Sequence, residues 1–190
     1  RFKKVLFDED MIKSNRIFSI AKLKNSSNLV DSFIYNKEQK LIVLTSIGRV
    51  FKFDLSNKFL NPSTKQSQGL LLINLLPKEK VVSCCKSKEK DTLYLVSKKG
   101  KFFKLKIDDI YDSHNSKLGY INEKIQLQND NFIKILPNNQ ILDIETNKNK
   151  AARLNLTKLS TKSNKNILEI DFLNLKQDEH LENCSSLEIF

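Results

Sequence analysis

The chain has no tryptophan, and its 190 residues include only four glycines, three prolines, three cysteines and two histidines. Each scarcity removes a class of function. Cys84, Cys85 and Cys184 are odd in number, which gives no disulfide framework, and the adjacent pair lacks the CxxC spacing of a metal site. VVSCC is an apolar run, so its thiols read as buried strand residues of an intracellular protein. His114 and His180 lie in polar loop sequence with no metal-ligand partner at useful spacing. The glycines form neither GxxxxGKT nor GxGxxG, so no phosphate-cradling loop is visible. Asp108 and Asp109 are adjacent where a turn is expected, and nothing near Tyr111 marks it as a nucleophile. The expectation is therefore a chain without catalysis of its own, without cofactor or metal, and without a small-molecule substrate. No window approaches eighteen apolar residues, so no transmembrane helix is expected. The start, RFKKVLFDED, has no signal-peptide core, and its first residue is not Met; the chain reads as a piece of a longer protein.

The few glycines are placed regularly. Gly48 and Gly100 are 52 residues apart, and Asn149 follows 49 residues later; Gly69 and Gly119 lie 21 and 19 residues beyond the first two. Around these positions one stretch recurs three times: LIVLTSIGRVFKFDL from Leu41, LYLVSKKGKFFKLKI from Leu93, and a weaker ILDIETNKNKAARLNL from Ile141. Each reads as an apolar strand, a four-residue turn and a second strand. A turn that closes on a residue of positive φ suits Gly and tolerates Asn. A repeat of about fifty residues indicates propeller blades or solenoid units, none able to bury its apolar face alone.

Further strands complete each unit: LLLINLL and VVSCC after the first hairpin, Tyr120 to Leu127 and FIKIL after the second, NILEIDFLNL and CSSLEIF after the third. Ser56, Asp108 and Thr157 follow the hairpins at one equivalent position, where they should bond local backbone and start a turn or short helix. Four antiparallel strands per unit and no long helix make the chain all-β. The boundaries are residues 1–39 for part of a preceding unit, 40–92 and 93–139 for two full units, and 140–190 for a degenerate unit with an acidic end. That is about three and a half units in a single repeat domain.

Net charge is +11, from 29 lysines and four arginines beside twenty asparagines. Compositional bias toward Lys, Asn and Ile raises pI without any function, so a protein-interaction scaffold with incidental lysines is one reading. The distribution supports another. Residues 169–190 carry −5, leaving +16 on the rest. The residue after each turn is basic (Arg49, Lys101, Lys150), and so is the residue three further on (Lys52, Lys104, Arg153). Lys98, Lys99 and Lys148 add charge in the turns. Stacked units would set these side chains along one rim, the first set splaying to the surface beside the turns. Such a basic track neutralises phosphates, and lysine's point charge suits phosphate contact rather than base reading.

LIVLTSIGRVFKFDLSN followed by QGLLLINLLPKEKVVS resembles the C-terminal domain of the DNA gyrase A subunit. That family repeats a T-x-x-G-type turn, a basic aromatic strand, a glycine and an LLxLxxxExV run, here Leu75-Leu76-Pro77-Lys78-Glu79-Lys80-Val81. The resemblance covers roughly residues 20 to 185 and is clearest over 41 to 107. It implies a β-pinwheel, a propeller-like array of four-stranded blades that exchange strands with their neighbours. It also implies that double-stranded DNA wraps on the basic rim, in a cytoplasmic, nucleoid-associated enzyme of the gyrase or topoisomerase IV type. The partners would be a catalytic core, the rest of the A subunit, and an ATPase subunit. The family's glutamine-led, arginine- and glycine-rich box is missing from NPSTKQSQG and SHNSKLG, and its cleaving tyrosine belongs to a region outside this chain.

Overall fold

A computed structural model describes residues 1–6, 13, 21, 23, 27–36, 38–56, 60–64, 67–113, 120, 127, 129–160, 167–168 and 175–188. Among them are ten strands, all in antiparallel sheets. The first sheet has the order β2-β1-β3, from β1 (Lys40–Thr45), β2 (Val50–Asp54) and β3 (Val81–Ser87). The second is β6-β4-β5-β9, from β4 (Thr92–Ser97), β5 (Phe102–Lys106), β6 (Phe132–Pro137) and the two-residue β9 (Ile167–Leu168). The third is β10-β7-β8, from β7 (Gln140–Thr146), β8 (Ala151–Asn155) and β10 (Leu181–Glu188).

Each hairpin lies at the same place in its sheet, and strand alternation divides its apolar residues between two cores. On the middle hairpin Leu93, Leu95, Phe103 and Leu105 face Ile42, Leu44 and Val50 of the first sheet. Tyr94, Val96 and Phe102 face Leu142, Ile144 and Leu154 of the third. A third cluster, with Leu41, Val43, Phe51 and Phe53, lies on the other side of the first sheet. Alternation alone suggests one buried face and one basic face per hairpin. Instead Phe102 and Phe103 are both buried, because the middle sheet packs against a neighbour on each side, and β5 opens to solvent only toward its end at Lys104 and Lys106.

The first two sheets are extended by the repeat that follows. β9, from the third repeat, pairs with β5 of the second through Phe102–Leu168 and Phe103–Ile167. Tyr120, from the second, exchanges two backbone hydrogen bonds with Val50 of the first, 2.9 and 2.6 Å long. Phe2 and Leu70 make the same reciprocal pair at 2.9 and 2.7 Å, so Arg1–Lys4 occupies the register of Arg49–Lys52.

Two local expectations are corrected. LLLINLL is not a strand: Leu70 forms a single bridge and residues 71–76 join no sheet, with Leu71, Leu75 and Leu76 exposed. The Asn74 carbonyl takes an arginine hydrogen bond instead of a ladder partner. At Ser56 and Thr157 the side chain two residues earlier takes up the backbone N–H. Asp54 Oδ1 accepts both the N–H and the hydroxyl of Ser56, and Asn155 Oδ1 does the same for Thr157 at the start of α1 (Leu156–Ser160). Asp108 sits in a 3-10 turn, Ile107–Asp109, without a side-chain cap. Gly119, His114 and most of the strands expected at 120–127 and 166–175 lie outside the described residues.

The three turns share one hydrogen-bond pattern. The N–H of Thr45, Ser97 or Thr146 donates to the carbonyl four residues on, at 3.0, 2.9 and 2.9 Å. The N–H of Gly48, Gly100 or Asn149 donates back, and the buried hydroxyl accepts the N–H of Arg49, Lys101 or Lys150 at 3.1, 3.1 and 3.2 Å. The closing residue has φ of 90° at Gly48, 78° at Gly100 and 59° at Asn149. Gly69 has φ 73°, where the carbonyl of Phe2 passes. At Gly48 an added Cβ would come 2.7 Å from the Phe132 ring. Left-handed strain and that clash set the expected loss for Gly48→Ala at about 2 kcal/mol, whereas Asn149→Gly keeps the turn and changes stability by less than about 0.5 kcal/mol. Urea unfolding of both variants checks this; equal losses would mean that the turn does not depend on φ.

Candidate nucleic-acid interface

The residue after each turn hydroxyl ties its sheet to the next. Ser46, Lys98 and Asn147 donate their N–H to the carbonyls of Lys80, Asn131 and His180, which lead into β3, β6 and β10. The Ser46 carbonyl then accepts the N–H of Phe132 at 3.0 Å, and the Lys98 carbonyl accepts that of Leu181 at 2.8 Å. Tip one therefore adjoins the start of β6, which adjoins tip two, which adjoins the start of β10 and tip three. The hairpin tips form a single row.

The basic residues on this row are not equivalent. Arg49, expected to splay to the surface, is only 4% exposed. Its Nε donates to Glu79 Oε1 at 2.8 Å, and its Nη2 donates to Glu79 Oε2 and the Asn74 carbonyl. Glu79 also accepts the Leu76 N–H, so its carboxylate closes the turn before β3. The third repeat copies this: Lys150 Nζ lies 2.8 Å from Glu179, which accepts the N–H of Lys176. In the second, Asp130 stands at the same place, two residues before β6, and accepts the N–H of Lys99 and Asn131. Burial pushes the Glu79 carboxyl up, but Arg49 and the Leu76 N–H outweigh it and hold it below the usual range. The Lys150 hydrogen bond holds Glu179 low in the same way.

Lys52 is also interior, 5% exposed, with its ammonium 2.9 Å from Glu89 and 3.9 Å from Asp112. Arg153 is exposed but bonds both oxygens of Asp143, directly across the hairpin, at 2.6 and 2.8 Å. Lys148 lies 3.1 Å from Asp178. Lys98 and Lys99 are exposed, and Lys101 and Lys104 are half-buried. These placements replace a uniform surface track with one that mixes interior ion pairs and outward lysines. Sequence reasoning misses Glu79, Glu179 and the three turn hydroxyls. Their signal is spacing: Glu79 and Glu179 follow their basic partners by 30 and 29 residues.

Residues 39–84 and 91–113 match the family model of the DNA gyrase C-terminal domain, beta-propeller. Two solved structures share the fold. The C-terminal domain of DNA topoisomerase IV is 17% identical at a TM-score of 0.56, over 80% of this chain and 47% of that one. The C-terminal domain of ParC from E. coli is 18% identical at a TM-score of 0.56, over 93% of this chain and 74% of that one. The chain thus spans about half the length of the first structure and three quarters of the second. The chain shares the fold of these C-terminal domains, and the two stretches matched by the gyrase family model cover the first two hairpins. No curated protein matches it.

Glu79, the glutamate of the LLxLxxxExV run, anchors the basic residue that follows the turn. Burial raises the thiols of Cys84 and Cys184 to about 12 and that of Cys85 further, so they stay protonated at neutral pH. Among the described residues no three His, Cys, Asp or Glu side chains gather as a metal site, and no helix is long and apolar enough to cross a membrane.

Proposed function

We propose that this gyrase-type domain binds duplex DNA along the row of hairpin tips, guiding the DNA segment handled by a type II topoisomerase. The row itself carries the reading: the backbone links tip to tip, so charges on successive repeats follow one line. The candidate phosphate contacts on the row are Lys98, Lys99, Lys101, Lys104, Lys148, Lys150 and Arg153, while Arg49 and Lys52 hold the hairpins in shape. Lysine ammoniums contact phosphate without reading bases, so sequence preference is small. In the complete enzyme the partners are the catalytic core and the ATPase subunit, in a nucleoid setting, and the rim wraps the DNA it delivers. Affinity for a duplex of about 150 base pairs should fall steeply and linearly on a log–log plot as salt rises. A shallow slope at weak affinity would instead favour a protein-docking scaffold, for which the exposed Leu71, Leu75 and Leu76 are the natural surface.

A further inference from the structure

We infer that phosphate contact is concentrated on the middle hairpin, β4–β5, with the flanking hairpins contributing little; this rests on the DNA-binding reading above. The three hairpins have basic residues at the same positions but differ in the acids around them. On the first, Arg49 is held by Glu79, Lys52 by Glu89 and Lys40 by Asp54. On the third, Lys148 faces Asp178, Lys150 faces Glu179 and Arg153 faces Asp143. A cation already paired with a carboxylate offers a phosphate little net charge, and the carboxylate beside it repels the phosphate.

The middle hairpin differs: Asp130, at the place of Glu79 and Glu179, accepts the backbone N–H of Lys99 and Asn131. Across from Arg153 stands Asp143, but the residue across from Lys104 is Tyr94. Asp54 closes the second strand of the first hairpin, but Lys106 holds that position in the second. Among the described residues, Lys98, Lys99, Lys104 and Lys106 make no side-chain hydrogen bond or ion pair. Lys98 and Lys99 lie in the turn, and Lys104 and Lys106 on one face of β5, so the four flank a single five-residue strand. Such a strand is about 17 Å long. It spans about five base pairs of duplex at 3.4 Å each. The contact is a short grip that runs from the middle tip along β5.

Four neutralised phosphates give a slope near −3.6 in log affinity against log salt, or about 150-fold weaker binding at 200 mM than at 50 mM. The test uses the full chain and a duplex of about 150 base pairs, with circular dichroism to establish that each variant is folded. The quadruple variant Lys98→Gln, Lys99→Gln, Lys104→Gln, Lys106→Gln should flatten the slope to near zero. The triple variant Lys148→Gln, Lys150→Gln, Arg153→Gln should lower it by less than about 1. Equal flattening by the two sets, or more by the triple, overturns the inference and leaves DNA binding standing. A wild-type chain with no salt-dependent affinity removes both.

Discussion

Glu79→Ala lowers the melting temperature of the chain by about 10 °C. The carboxylate is 6% exposed and takes two hydrogen bonds from an arginine that is itself buried. Removing the acid leaves a guanidinium in the interior without the carboxylate that neutralises it. Breaking a buried pair from one side costs about 3–5 kcal/mol. For a chain of this size each kcal/mol moves the midpoint by about 2–4 °C. The double variant Arg49→Met, Glu79→Met should regain much of that loss, because it removes both charges, but not all of it, because the Leu76 N–H loses its acceptor. Acid acts like the single variant. The folded carboxyl lies below its unfolded value, so its contribution is fully present above the unfolded pKa and is lost as pH falls through the folded one. Asp54, held at about 2 mainly by the Lys40 hydrogen bond, moves in the same direction. Melting curves from pH 6 to pH 2 should therefore fall most steeply below about pH 4 in the wild type. In Glu79→Ala they should fall less. An unchanged acid slope in the variant would show that other carboxylates set it.

Phe132→Ala should cost about as much, 3–5 kcal/mol, for a different reason. Phe132 belongs to the second sheet, but its ring lies against Gly48 of the first and meets Phe103 edge-on at 5.5 Å. Its N–H also holds the Ser46 carbonyl. Truncation opens a cavity in the core that joins two repeats, so both should unfold together at lower urea. Phe132→Leu should lose less than half as much. A loss below about 1 kcal/mol for Phe132→Ala would mean that the two sheets are stabilised independently.

The hairpins were legible because glycine is rare enough for Gly48 and Gly100 to stand out, and because Asn149 fits the same φ. Their strands were legible from β-branched and aromatic runs bounded by turns. The exchange of strands between repeats had no local signature: Val50 and Tyr120 are 70 residues apart, and only the resemblance to a known family suggested such pairing. Position beside a turn did not reveal that Arg49 is buried, since burial depends on Glu79 arriving from another segment. LLLINLL shows the opposite failure. It has the composition of a strand, but Leu71, Leu75 and Leu76 face water, and side-chain hydrogen bonds take up backbone groups at Asn74 and Leu76.

That the second sheet is completed by a strand of the following repeat has a consequence on the ribosome. Phe102 must wait for Leu168, 66 residues later, before β5 gains its outer neighbour. At synthesis rates of about 5–20 residues per second the wait is roughly 3–13 s. During that interval the newly made hairpin presents an open edge to other nascent chains. Lys104 and Lys106, on the strand that waits, put charge along that edge while it is exposed, which discourages a foreign strand from taking the place reserved for β9.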